Sequence, residues 1–293
     1  MQPLFLPPVP GAGGGPRFAM LHRPAGPVQG LVVYVHPFAE EMNKSRRMAA
    51  WQARVLAERG LAVLLPDLLG CGDSAGDFGD ASWAAWVDDT VQACQWLRHQ
   101  AAGWQPPLPG GNGTLPLTLW GLRAGALLAA EAAARLGDVH RLLLWQPASS
   151  GKAVLQQFLR LQLAGELMGG EARGGTETLK ARLAAGHTVE LAGYRIAPAL
   201  AQGLERSTLR PVAGVRQLLW LEVSSREGAP LTPASASTVQ AWQQAGCEVQ
   251  AQAVPGPVFW QTTEIEDAPA LVRATLAALA EPLRVAQPLA VSA

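Results

Sequence analysis

Short apolar runs alternate with longer amphipathic segments along most of this 293-residue chain. The runs are rich in leucine and β-branched residues and have turn signals at both ends, which predicts strands buried on both faces of a sheet. These predicted strands cover 17–22, 30–35, 61–65, 117–120, 141–145, 217–223 and 249–254. The regular alternation predicts an α/β fold, with a mostly parallel central sheet and helices on both of its faces.

Helical periodicity marks most of the segments between the predicted strands. The predicted helices cover 48–59, 83–100, 126–136, 153–168, 178–185, 233–245 and 268–279. Ser82 is a suitable N-cap for the second of them, and Gly60 a suitable C-cap for the first. Two stretches, 39–47 and 103–116, are predicted loops, and 186–194 is predicted to be extended.

One predicted strand leads into a sharp turn that has glycine at both ends. The turn reads Gly-Leu-Arg-Ala-Gly at 121–125, and an Ala/Leu-rich helix follows it. A strand, a tight turn and a helix in this arrangement form the nucleophile elbow of the α/β-hydrolase fold. The central residue of such an elbow should be Ser, Cys or Asp, but here it is Arg123, which is cationic and has no nucleophilic atom. The sequence therefore predicts the fold without predicting hydrolysis.

The other members of a catalytic triad are also missing from their expected places. A histidine should follow the last strand, where this chain has Phe259 and Trp260. All five histidines lie elsewhere in the chain order: His22, His36, His99, His140 and His187. Glu222 or Glu227 could take the position of the acid, but without an imidazole to orient neither has a triad role.

The backbone part of a hydrolase site can survive these replacements. The N–H groups of Ala124 and Phe38 are the expected oxyanion donors, and the elbow lies at the positive end of a helix. Together with the guanidinium of Arg123 they would suit a carboxylate, phosphate or pyrophosphate. In the alternative interpretation, Arg123 pairs with a nearby acid such as Glu41 or Asp67 and only fills the old pocket.

The predicted loop 39–47 should line the same edge of the sheet, since loops at the carboxyl ends of parallel strands gather there. The loop could bind a polar ligand or supply groups for acid/base chemistry, with His36 and Glu41 as the catalytic candidates. Its candidate ligand-binding residues are Glu40, Asn43 and Lys44. Equally, the charges could be solvated and paired with one another, and His36 could be a hydrogen-bonded structural histidine.

Two residues after the last strand are further candidates for ligand binding. Trp260 and Glu264 could form an aromatic wall with an acidic rim where the histidine of a hydrolase would stand. The alternative is that the aromatic residues here belong to the core.

The strand–helix alternation stops between about 150 and 212, after the strand that follows the elbow helix. Members of the α/β-hydrolase fold carry a lid or cap at this point, and we predict one over 150–212. The core would then comprise 17–149 and 213–281, with a flexible N-terminal arm over 1–16 and a C-terminal tail over 282–293.

The composition of the chain limits the kinds of partner that the protein is expected to bind and the cellular compartment in which it is expected to work. The chain has 23 basic and 23 acidic residues, so the excess of positive charge typical of nucleic-acid binding is missing. Its three cysteines have no CxxC spacing, and we expect no metal site, no cofactor and a reducing compartment. Residues 1–16 do not resemble a secretory signal, and no apolar run is long enough to span a membrane. We therefore expect a cytoplasmic protein with small-molecule or protein partners.

Several stretches resemble one known family, the second type of hydrolase associated with exosortase A systems. They are HPFAEEMNKSRR at 36–47, DLLGCGDS at 67–74, LWGLRAG at 119–125, QFLRL at 157–161, AGY at 192–194 and FWQTTE at 259–264. The resemblance implies an α/β-hydrolase fold, a cytoplasmic location, and a setting of exopolysaccharide synthesis and sorting of proteins with a PEP-CTERM tail.

Two functional hypotheses follow. In the first, the protein is a pseudoenzyme without a triad that binds an anionic small molecule, a polysaccharide or lipid-linked intermediate, or a protein partner of the exosortase system. In the second, it is an active hydrolase or transferase that uses a non-standard site on an ester-type bond in a polysaccharide, lipid-linked or acyl intermediate. The residues favour the first hypothesis, and the name of the resembling family favours the second.

Overall fold

The computed structural model of the chain describes residues 1–9, 14–104, 115–168, 175–191 and 193–280, and the side chains of 161–168 are not among the described atoms. The strands are β1 (Gln2–Leu6), β2 (Arg17–His22), β3 (Gly30–Val35), β4 (Leu61–Pro66), β5 (Leu117–Leu122), β6 (Arg141–Trp145), β7 (Val189–Leu191), β8 (Tyr194–Ile196), β9 (Gln217–Ser224) and β10 (Glu248–Pro255). The helices are α1 (Glu40–Glu58), α2 (Trp83–Ala102), α3 (Gly125–Leu136), α4 (Gly151–Met168), α5 (Thr176–Ala184), α6 (Pro198–Arg206), α7 (Pro233–Gln244) and α8 (Pro269–Ala280).

Eight of these strands form one mixed sheet in the order β1-β2-β4-β3-β5-β6-β9-β10. The pairs β1–β2 and β2–β4 are antiparallel, and the other neighbours are parallel. Two apolar cores cover the two faces of the sheet. The predicted α/β architecture is confirmed, because each of the seven predicted strands is a strand of this sheet.

The prediction of a flexible N-terminal arm over 1–16 is wrong for its first residues. The strand β1 pairs with β2 along its whole length, from Gln2 opposite Leu21 to Leu6 opposite Arg17. The Leu6 side chain is 1% exposed, and the ring of Phe5 packs edge-on against that of Phe18 at 5.6 Å. The segment therefore forms an edge strand, because pairing with β2 buries apolar side chains even though proline-rich stretches flank it. Residues 10–13 lie outside the described part of the chain.

The predicted loop 39–47 is also wrong, because α1 begins at Glu40. Ala39 makes the turn into the helix with a φ of 52°, and two acidic residues, Glu40 and Glu41, stabilise the positive end of the helix dipole. Met42 and Ser45 continue the buried stripe of the helix toward its N-terminus. The charged residues of this segment are thus held on a helix rather than on a loop.

The segment predicted to be a lid forms an insertion of its own between β6 and β9, which are neighbours in the sheet. It contains α4, α5, a β7–β8 hairpin and α6. Helix α6 was missed; it begins with a proline in its first turn and packs against both α4 and α2. Its function as a lid stays a prediction. Residues 169–174, residue 192 and the predicted tail 282–293 lie outside the described residues.

One buried histidine makes the stability of the fold dependent on pH. The His22 side chain is 2% exposed, and its pKa is lowered from 6.5 to about 4, first by burial and then by the positive charges of the N-terminus and Arg54. Between these two pH values the unfolded chain binds a proton that the folded chain does not. As the pH falls from about 6.5 to about 4, we expect His22 to lower the free energy of unfolding by up to about 1.4 kcal/mol per pH unit.

Urea unfolding of wild type and His22→Gln across this pH range measures the effect. The variant should have the flatter profile, while His99→Gln, at an exposed position of α2, should keep the wild-type slope. Parallel profiles for wild type and His22→Gln would contradict the prediction.

Candidate functional site

Arg123 lies at the tip of an elbow between β5 and α3. Its φ is 55°, in the left-handed region that a non-glycine residue rarely adopts. Three backbone hydrogen bonds hold this conformation. The N–H of Arg123 donates to the carbonyl of Trp145 at 3.0 Å, and the carbonyl of Arg123 accepts from the N–H groups of Ala126 and Ala148, each at 3.1 Å. Strain maintained in this way is typical of functional positions.

The two glycines of the elbow are required by close packing. A Cβ at Gly125 would lie 2.1 Å from the carbonyl oxygen of Val35, and a Cβ at Gly121 would lie 2.6 Å from the Cα of Ala126. Both approaches are closer than carbon atoms tolerate. The strand, the helix and the end of β3 therefore pack directly on one another, which is the function of these glycines in a nucleophile elbow.

The Arg123 side chain, 15% exposed, bonds to groups from three different segments. Its Nε lies 3.4 Å from Oε1 of Glu41 on α1, and its Nη2 donates to Oε1 of Gln157 on α4 at 3.0 Å. Its Cζ lies 5.8 Å from the ring centroid of Trp260, within the range of a cation–π contact. Asp67, the other acid considered for Arg123, instead pairs with Arg46 at 2.9 Å.

Glu41 lies at the centre of this network. Besides the contact with Arg123, its Oε1 accepts a hydrogen bond from Nε2 of Gln261 at 3.3 Å, and Lys44 donates to the carbonyl of Gln261 at 3.3 Å. Burial raises the pKa of Glu41, and the positive charge of Arg123 opposes that rise. The site thus contains an ionisable carboxyl group in contact with a fixed cation.

Three donors beside the network have no hydrogen-bond acceptor among the described residues: the N–H groups of Ala124 and Phe38, and Nη1 of Arg123. Ala124 and Phe38 are both buried. They are the two backbone groups expected to form an oxyanion hole, and the contact of Gly125 with the end of β3 brings their segments together. The site is therefore rich in donors that can receive negative charge.

The His36 side chain is hydrogen-bonded to backbone groups beside the site. Its side chain is 4% exposed, with Nδ1 2.8 Å from the carbonyl oxygen of Pro37, while the N–H of Leu68 points at Nε2 from 3.4 Å. Burial lowers the pKa of this imidazole, which keeps it neutral. Because both ring nitrogens are used, the arrangement favours the structural interpretation of His36 over that of a catalytic base.

Aromatic packing fills the place where a hydrolase has its histidine. Phe259 and Trp260 are 1% and 2% exposed, and their ring centroids lie 4.9 Å apart. Phe259 also packs against Trp145 at 6.3 Å. Trp260 therefore belongs to the core and at the same time supports Arg123.

Two other predicted residues, Asn43 and Glu264, have no hydrogen bond to Arg123 in the described part of the chain. Asn43 is exposed and accepts a hydrogen bond from Nε of Arg46 at 3.5 Å, and Glu264 is exposed beyond the aromatic pair. Glu40 is half-buried and helps to raise the pKa of Tyr194 to about 12, although burial is the larger cause. The predicted cluster is thus brought together only in part.

Neither candidate acid bonds to an imidazole or to Arg123 in the described part of the chain. Glu222 is 5% exposed and accepts hydrogen bonds from Nε1 of Trp220 at 2.9 Å and from the N–H of Thr232 at 3.4 Å. Glu227 is exposed in the turn after β9. The insertion contacts the site after the end of β3, where Phe158 of α4 packs perpendicular to Phe38 at 5.2 Å.

Sequence reasoning missed two residues of the site, Gln157 and Gln261. Each donates or accepts a hydrogen bond within the network, although neither has a charge or periodicity that would indicate a site. The signal available was that both lie in stretches singled out in the sequence analysis, 157–161 and 259–264. Among the described residues, no group of His, Cys, Asp and Glu side chains could hold a metal ion, and no helix is long and apolar enough to cross a bilayer.

The sheet order, the elbow and the packing of α3 behind it define an α/β-hydrolase fold. The chain belongs to the family described as serine aminopeptidase, S33 (Hydrolase_4), whose sequence pattern matches residues 26–179. No curated protein matches the sequence.

Solved structures share the fold at low sequence identity. Est1E from Butyrivibrio proteoclasticus, solved with ferulic acid bound, is 16% identical, with a TM-score of 0.63 over 94% of this chain and 97% of that one. A thermostable carboxyl esterase from Bacillus coagulans, in complex with glycerol, is 16% identical, with a TM-score of 0.55 over 87% and 90%. An α/β serine hydrolase without a lid from Xanthomonas campestris is 17% identical, with a TM-score of 0.52 over 88% and 85%.

Proposed function

We propose that this protein is a pseudoenzyme of the α/β-hydrolase fold that binds an anionic ligand at its elbow. The observation that carries the proposal is the position of Arg123. It occupies the strained place of the nucleophile, and its side chain bonds to Glu41 and Gln157. A guanidinium cannot attack a carbonyl, but it binds carboxylate and phosphate groups well.

Within the described part of the chain, the site has more free hydrogen-bond donors than acceptors, which favours an anionic ligand over a cationic or neutral one. Arg123 contributes Nη1, and Ala124 and Phe38 contribute backbone N–H groups, none of which has an acceptor in the described residues. Among the described residues, the carboxylate paired with Arg123 is that of Glu41, at the long distance of 3.4 Å. The two N–H groups belong to buried residues, and buried donors without acceptors are costly, so a ligand that satisfies them gains affinity.

A role in an exosortase A and exopolysaccharide system is part of the proposal. Five hydrogen-bonding side chains of the network lie in stretches that resemble the exosortase-associated family: Glu41, Lys44, Arg123, Gln157 and Gln261. In that setting the ligand would be an anionic group of a polysaccharide or lipid-linked intermediate, or an acidic group of a protein partner. The protein would act in the cytoplasm.

Replacing Arg123 by alanine tests the binding proposal. We expect the affinity for a bound anion to fall by about 10- to 100-fold, because a charge-assisted hydrogen bond contributes roughly 1.5–3 kcal/mol. Thermal-shift screening followed by titration calorimetry with acetate, succinate, benzoate and inorganic phosphate measures the change. Arg98→Ala, which removes a partly exposed arginine paired with Asp138 on the surface, is the matched control. Equal affinities of wild type and Arg123→Ala would refute anion capture at the elbow.

The donors of the oxyanion type favour one second candidate, an active hydrolase or transferase with a non-standard site. In that case Glu41, whose pKa is raised by burial, would be the acid/base group. A panel of p-nitrophenyl esters, thioesters and phosphates separates the two candidates. The pseudoenzyme should give no turnover, whereas robust turnover that is lost in Glu41→Gln would replace it with the enzyme.

A further inference from the structure

We propose that the ligand of the elbow is a carboxylate that displaces Glu41 from Arg123, and that Glu41 takes up one proton as the ligand binds. This inference rests on the proposed function and adds to it the class of ligand and a coupling to protons.

The internal carboxylate already marks the position that a ligand carboxylate would take. Oε1 of Glu41 accepts hydrogen bonds from Nε of Arg123 at 3.4 Å and from Nε2 of Gln261 at 3.3 Å. Charge-assisted bonds between a guanidinium and a carboxylate are usually about 2.7–2.9 Å long. Glu41 is attached to the backbone of α1, and both hydrogen bonds that its Oε1 makes with described residues are long, whereas a free carboxylate can approach the guanidinium closely and in a bidentate manner.

Charge balance explains why the displaced group takes up a proton. Arg123 and Glu41 side chains are each 15% exposed, so the site holds one cation and one anion largely away from water. A ligand anion would add a second negative charge beside Glu41. Two carboxylates that share one cation in a poorly solvated site do not both stay ionised, because their repulsion raises the pKa of one of them.

Among the groups around the site, Glu41 is the one whose protonation changes when the ligand binds. From α1 itself, Glu40 raises the pKa of Glu41, and Lys44 bonds to the carbonyl of Gln261. The segments facing Glu41 across the site contribute Arg123, which stays cationic, and the uncharged amides of Gln157 and Gln261. Two titratable groups lie deeper: burial keeps Tyr34 protonated by raising its pKa and keeps His36 neutral by lowering its pKa.

Linkage gives the sign of the effect. The pKa of Glu41 is higher when the anion is bound, so between its values in the free and bound states binding takes up a proton. Over that interval the affinity falls as the pH rises, by up to about tenfold per pH unit.

Titration calorimetry of the full chain with benzoate tests this coupling. Binding is measured at a series of pH values at which wild type stays folded, in two buffers whose ionisation enthalpies differ, so that the difference in heat gives the number of protons taken up. For wild type we expect uptake approaching one proton per benzoate and an affinity that falls with pH. Glu41→Gln should bind benzoate without proton uptake and with an affinity independent of pH. Glu58→Gln, at the exposed far end of the same helix, should behave as wild type.

The outcomes separate this inference from the function on which it rests. If wild type binds benzoate without taking up a proton, the coupling is wrong and the anion site stands. If wild type binds none of acetate, succinate, benzoate and phosphate, the proposed function fails and the coupling fails with it. If Glu41→Gln does not fold, infrared difference spectra of wild type decide, because a protonated glutamate gives a carbonyl band that must appear when benzoate is added.

Discussion

Replacement of Asp89 by alanine should lower the free energy of unfolding by about 3–5 kcal/mol, because it leaves a buried charge without its partner. Oδ1 of Asp89 accepts from Nε of Arg17 at 2.9 Å, and both side chains are 1% exposed. Oδ2 of Asp89 accepts from the N–H of Leu69 at 2.8 Å. The pair links β2 to α2, and the bond to Leu69 also holds the loop after β4. Because both side chains are buried, water cannot readily take the place of the lost acceptor.

The neighbouring residue provides the control for this prediction. Asp88 pairs with Arg135 on the surface, where the side chains are 39% and 46% exposed. Asp88→Ala should therefore change the free energy of unfolding by no more than about 1 kcal/mol. Urea unfolding of wild type and both variants at neutral pH gives the two values. A loss in Asp89→Ala as small as that in Asp88→Ala would mean that the buried pair contributes no more than an exposed one.

Replacement of Gly125 by alanine should both destabilise the fold and abolish anion binding. The new Cβ would lie 2.1 Å from the carbonyl oxygen of Val35 and 2.7 Å from that of His36, and backbone atoms cannot move away as a flexible side chain can. Overpacking of this kind costs about 1–3 kcal/mol or more. The relief must come from a separation of α3 from β3, which moves the N–H of Ala124 away from that of Phe38.

Gly26→Ala is the matched control, since no atom of the described residues lies within 4 Å of the position of its Cβ. It should leave stability and anion affinity close to those of wild type. Thermal unfolding measures the first effect, and benzoate titration of the folded fraction measures the second. Wild-type affinity in a folded Gly125→Ala protein would show that the contact between elbow and β3 is not needed to position the site.

Local patterns predicted the sheet well. Strands such as Gly30–Val35 and Arg141–Trp145 are almost entirely apolar runs. Such runs become buried strands whichever elements pack against them, so the local sequence is enough to predict them. The elbow was recognisable for the same reason, because Gly121, Arg123 and Gly125 lie close together in the chain and their spacing alone specifies a tight turn.

The errors come from segments whose structure depends on distant partners. Residues 39–47 look like a charged loop in isolation, yet burial of Met42 and Ser45 against the rest of the molecule extends α1 through them. Residues 2–6 become a strand because β2 offers an open edge. The missed glutamines show the same limit, since Gln157 and Gln261 stand 34 and 220 residues away in sequence from the side chains that they bond.

By itself, then, the sequence determined that the chain forms an α/β-hydrolase fold and that its elbow carries a cation in place of a nucleophile. Both are properties of neighbouring residues, namely the length of apolar runs and the identity of the residue between two glycines. Only the tertiary structure decided that Glu41 is the acid bonded to Arg123, that Asp67 belongs to Arg46, and that both nitrogens of His36 are taken. These pairings depend on which strand ends and helix faces meet in space, and distance along the chain carries no information about that.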